Sequence, residues 1–62
     1  MEGIRITYRT ERPELDMIKV GYSISNGYDM YGVVADIEVV EENKKTIYIF
    51  TMDNQQEILV IR

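Results

Sequence analysis

Asp36 and Glu38 stand two residues apart, the spacing that puts two side chains on one face of a β-strand. Two carboxylates side by side can hold a hard cation such as Mg²⁺ or Ca²⁺, and carboxylate pairs can cut glycosides. The commoner fate of such a pair is a solvated face or contact with a cross-strand lysine. Asp53-Asn54-Gln55-Gln56-Glu57 also offers oxygen ligands, but not at EF-hand spacing. No metal site and no cofactor are expected.

The tyrosines are the second set able to do chemistry. Tyr22, Tyr28, Tyr31 and Tyr48, with Phe50, could line a stacking surface for nucleotides or single-stranded nucleic acid. Tyr28-Asp29-Met30-Tyr31 follows Asn26-Gly27 and should lie near a loop tip. There Tyr28 offers a large rigid contact area, and Asp29 an anchor for a basic group. Tyr28, Asp29, Tyr31, Asp36 and Glu38 therefore form the expected contact set for a ligand or a basic partner. In the plainer reading Tyr31 packs into the sheet.

Most other chemistry is excluded by composition. The chain has no His and no Cys, so it lacks the usual neutral-pH base, a thiol nucleophile, an ordinary zinc site and any disulfide. Ser23 and Ser25 sit in no nucleophile elbow, and the four glycines form no phosphate cradle. Sixty-two residues also leave little room for a concave pocket. No catalytic residue is expected, and the chain does not read as an enzyme.

Seven basic against eleven acidic residues give a formal net charge of −4. That balance works against phosphate backbones and anionic membranes and favours a basic partner surface. No run approaches the roughly 20 apolar residues of a membrane span. The opening Met1-Glu2-Gly3-Ile4 has neither the regions of a signal peptide nor the myristoylation pattern. A cytoplasmic protein without membrane contact is expected.

These groups must be held by strands, since nine Ile, six Val and four Thr face one Ala and two Leu. Apolar and polar residues alternate from Ile4 to Arg9 and again from Ile18 to Ser25. Pro13 allows at most one helical turn, over residues 13–16. Asn26-Gly27 predicts a type I′ turn. A long strand runs from Met30 to about Val40, with Gly32 marking a bulge or bend. Thr46–Met52 and Glu57–Arg62 complete five strands. The fold class is all-β: one small domain, residues 1–62, built as a strongly bent five-stranded antiparallel sheet or barrel of SH3-like or Sm-like type.

A three-residue loop, Asn43-Lys44-Lys45, would put Ile37 and Val39 in the core with Ile49. A four-residue loop would then bring Val60 opposite Ile49. Val40, Tyr48, Phe50, Met52, Leu59 and Ile61 would fall on the outer face. So large an apolar set marks a contact surface, and these six are the expected partner or oligomer interface. With no disulfide or metal to staple so short a chain, a homo-oligomer is expected.

Ile18-Lys19-Val20 and Asn26-Gly27-Tyr28-Asp29-Met30-Tyr31-Gly32-Val33-Val34 resemble the first motif of Sm-like proteins, with Gly27, Met30 and Gly32 at matching spacing. The resemblance covers about a third of the chain. It implies a five-stranded bent sheet that assembles through strand edges into rings, often on RNA. Glu38 stands where the family usually has Asp, and the Arg-Gly of the second motif is missing. A short, acidic, β-rich chain also resembles accessory and inhibitor proteins of phages and mobile elements. The expected function is a non-enzymatic acidic module that self-associates and engages a protein. The alternative is an oligomer that binds nucleotide or single-stranded nucleic acid through its tyrosines.

Overall fold

The structure is a computed structural model that describes residues 3–62. Its elements are β1 (Ile4–Arg5), α1 (Arg12–Asp16), β2 (Ser23–Ser25), β3 (Tyr31–Glu42), β4 (Lys45–Met52) and β5 (Glu57–Ile61). They form one five-stranded sheet in the order β1-β2-β3-β4-β5. The all-β class and the single helical turn are as the alternation and Pro13 predict. β1 pairs with β2 in parallel, however, so the sheet is mixed; the other three pairings are antiparallel.

The two alternating runs at the N-terminal end yield much shorter strands than their pattern predicts. Thr7 to Thr10 turns away from the sheet, with the Thr7 N–H donating to Thr10 Oγ1 at 2.8 Å. α1 begins at Arg12 with Pro13 in its first turn, where a missing N–H costs nothing. The Glu14 carboxylate accepts from the Glu11 N–H at 3.0 Å. Leu15 pins the turn by full burial.

Gly21, at φ +98°, then redirects the chain into β2. Asn26-Gly27 does not form the expected I′ turn. Only Gly27 has positive φ, at +83°. The Asn26 side chain accepts from the N–H groups of Tyr28 (2.8 Å) and Met30 (3.1 Å) instead, holding a wider loop by an Asx turn.

β3 carries the bend, but not at Gly32. The register shifts between Val34 and Asp36, leaving Ala35 as the bulged residue. Gly32 serves close packing: a Cβ there would lie 3.2 Å from Met52 Cβ and from Asn54 Nδ2. The bulge inverts the alternation, so Val34 and Ile37 both turn to the core. Ile6, Leu15, Ile18, Ile24, Val34, Tyr48, Phe50, Met52, Ile58 and Val60 are buried there. Residues 6–24 thus fold back over one side of the β3–β5 sheet and cover it.

Candidate functional site

The loops of the two C-terminal hairpins set which side is covered. Glu42 pairs with Lys45, so the first loop is only Asn43-Lys44. Both have positive φ, 51° and 66°, the type I′ geometry. The second loop is Asp53-Asn54-Gln55, with Gln55 at φ 71° and the Met52 N–H donating to Gln56 O at 2.8 Å. Each loop is one residue shorter than expected. A one-residue slip exchanges the two faces of a strand.

The correction for the expected interface follows from that slip. Tyr48, Phe50 and Met52 are not on the outside. They are 2%, 0% and 1% exposed and lie in the core. Phe50 stacks on Tyr48, with ring centroids 6.2 Å apart. The Tyr48 hydroxyl reaches the edge of the core and donates to Asp16 Oδ1 at 2.9 Å. Arg12 lies beside that hydroxyl, Asp16 and Glu41, and its pKa is raised, first by the hydrogen bond with Tyr48 and then by these negative neighbours.

The outer face is nonetheless apolar. Val40, Ile47 and Ile61 form one cross-strand row; Glu38, Ile49 and Leu59 form the next; Asp36, Thr51 and Glu57 form the third. Val40, Ile47 and Ile49 are half-buried by their neighbours, while Leu59 and Ile61 are 56% and 55% exposed. Of the six expected interface residues, three are therefore on this face. Ile47 and Ile49 belong to it as well; the same slip moves Ile49 out of its expected core position, and Val39, expected beside it, is exposed. The signal for Ile47 and Ile49 was present, since Ile47-Tyr48-Ile49-Phe50 is apolar on both sides whichever register holds.

Asp36 and Glu38 share this open face, as their spacing predicts, and both are exposed. They rim the apolar rows rather than facing into a cleft. Among the described residues, no three Asp or Glu side chains come close enough to hold a metal ion. Tyr28 and Tyr31 are also exposed, and Asp29 accepts from Asn26 Nδ2 at 3.4 Å. Tyr31 pairs with Ser25, on the far side of the Ala35 bulge from Asp36. The expected contact set is thus split. Tyr28 lines a groove that includes neither Asp36 nor Glu38.

Arg62 is a side chain that sequence reasoning missed. Its Nε donates to Thr10 O at 2.6 Å, and its Nη2 donates to Tyr8 O. It ties the end of β5 to a segment more than fifty residues away in sequence. No local pattern announces such a contact.

In comparisons with known proteins, the chain matches no family model, no curated protein and no solved structure. Among the described residues, no helix is long and apolar enough to cross a membrane.

Proposed function

We propose that this chain is a non-enzymatic binding module whose open sheet face docks on protein, including a second copy of itself. The observation that carries the reading is the apolar set on the side of the sheet away from the core, with Leu59 and Ile61 exposed and Val40, Ile47 and Ile49 half-buried beside them. Exposed apolar area of this kind is spared on surfaces that only face water. Its carboxylate rim of Asp36, Glu38 and Glu57 suits a partner with basic groups around an apolar centre, because opposite charges at a rim speed and orient docking.

The patch is small. With strands about 4.8 Å apart and a rise of about 3.3 Å per residue, the three rows span on the order of 10 by 13 Å. A stable interface buries roughly 800 Å² per partner. Self-association through this face alone is therefore weak, and a larger partner completes it.

Ile49→Lys tests the reading, because a lysine stem can lie along the sheet while its charge blocks close packing. Sedimentation equilibrium should show wild-type protein associating as concentration rises and Ile49→Lys remaining monomeric, with the circular dichroism spectrum unchanged. Equal behaviour of the two proteins over the whole range would defeat it.

Nucleotide or single-strand binding is the second reading, favoured by the exposed rings of Tyr28 and Tyr31 and opposed by the net charge of −4. A thermal-shift series with short oligonucleotides separates the two, since a ligand specific for the folded state raises its midpoint.

A further inference from the structure

β5 is the last strand of the sheet, and among the described residues no strand lies beyond it. Thr46 and Arg62 exchange both main-chain hydrogen bonds, at 2.6 and 3.3 Å. That fixes the phase of the β4–β5 ladder. Bonded and non-bonded pairs alternate in an antiparallel ladder, so Tyr48–Val60 and Phe50–Ile58 are the bonded pairs. The N–H and C=O groups of Glu57, Leu59 and Ile61 therefore point away from β4. Among the described residues, the only group that meets any of them is the Arg62 guanidinium, 3.4 Å from Ile61 O.

Across from this edge stands the segment Ile6–Tyr8. A groove of about 690 Å³ separates the two, lined also by Met30 and Tyr28; this is within the range of about 300–1,000 Å³ for ligand-sized clefts. Arg62, through its bonds to Thr10 and Tyr8, ties the far wall to one end of β5. Glu57 marks the other end of β5, and Asp29 lies beside the wall residues Asn26 and Tyr28. The groove thus combines a free strand edge, apolar walls from Ile6, Met30, Ile58 and Val60, and the Glu57 carboxylate at the end that Arg62 leaves open.

We infer that this groove takes an extended segment of a basic partner protein, added as a sixth strand along β5. Main-chain bonds to Glu57, Leu59 and Ile61 supply the register, and alternate apolar side chains of the segment enter the groove. A Lys or Arg of the segment passes Glu57. A single chain fits better than the sheet edge of a folded second copy, because the Ile6–Tyr8 wall is tied across the seam by Arg62. The inference rests on the proposed protein-binding role and names the shape and charge of the partner. Leu59 and Ile61 belong both to the groove edge and to the open face, so the two surfaces are continuous.

The probe is a blocked peptide of alternating Lys and Val, of a strand's usual length of about six residues, with an alternating Glu and Val peptide as comparator. Amide hydrogen exchange is followed by NMR. The Lys–Val peptide should slow exchange at Glu57, Leu59 and Ile61 by roughly tenfold or more, as a new hydrogen bond at each amide would. Ile58 and Val60, already bonded to β4, should change little, and the Glu–Val peptide should act more weakly.

Leu59→Pro removes one outward donor without touching the β4–β5 ladder and should abolish the effect. Should that variant not fold, Glu57→Lys serves instead and should erase the preference for the Lys–Val peptide. Absence of protection by either peptide at millimolar concentration overturns the inference. So does protection of the same three amides that rises with protein concentration alone, which would make a second copy the occupant. Ile49→Lys lies outside the groove and should leave peptide protection intact. If it abolishes self-association while no peptide protects the edge, strand addition falls and the open-face reading stands.

Discussion

The two faces of the β4–β5 hairpin are built from the same kinds of residue and have opposite surroundings. On one, Tyr48, Phe50, Ile58 and Val60 are sealed by residues 6–24. On the other, Ile47 and Ile49 are half-buried among their strand neighbours, and Leu59 and Ile61 are exposed. Composition does not separate the faces, because both are apolar. Two short loops do. The chain has one cover segment, and it can serve one side only. The side left over is the proposed docking surface.

The contrast breaks most strongly at Phe50. It is fully buried, and removing such a ring costs about 3–5 kcal/mol in transfer energy and cavity. Phe50→Ala should take most of the stability of so small a chain, read as a large fall in the urea midpoint. On the open face, Leu59→Ser should shift the same midpoint only slightly, a loss of no more than about 0.5 kcal/mol in stability. Comparable losses at both positions would mean that the open face is packed after all.

A smaller effect lies at the polar tip of the covered face. Tyr48→Phe keeps the stack on Phe50 but deletes the hydrogen bond to the Asp16 carboxylate. The cost should be about 1.5 kcal/mol, the lower end for bonds to charged groups, and Asp16→Asn should recover less than half of it in a double-mutant cycle. The smallest effect belongs to the turn that assigns the faces. Lys44 holds φ 66°, a conformation that costs a side chain about 1 kcal/mol. Lys44→Gly should therefore stabilise by up to that amount, read as a raised urea midpoint with no change in the slope.

Much of this was legible in the sequence. β3, β4 and β5 are where alternation places them, because pairs of β-branched and aromatic residues leave little else for Ile47–Phe50 to do. The single turn of α1 follows from Pro13. The presence of an apolar surplus was readable too. Its side was not, since nothing in Asn43-Lys44 or Gln55 marks positive φ as plainly as glycine does. Asn26-Gly27 carried that mark, yet Asn26 uses its side chain to build a wider loop.

The bulge at Ala35 is equally silent, because alanine carries no mark of a register shift. The parallel β1–β2 pairing and the Arg62 tie to Tyr8 and Thr10 depend on segments distant in sequence, and no local pattern encodes them. The Sm-like motif spacing of Gly27, Met30 and Gly32 marks a loop followed by a closely packed strand here, and no family match extends it.

The most direct test is solvent paramagnetic relaxation of the isoleucine, leucine and valine methyl groups across a dilution series. At low concentration, a soluble gadolinium chelate should broaden Ile47, Ile49, Leu59 and Ile61 strongly and leave Ile58 and Val60 sharp. As concentration rises, or a protein partner is added, the first set should become protected and the second should not change. Open-face methyls that are shielded at every dilution, or equally exposed at every concentration, would contradict the account.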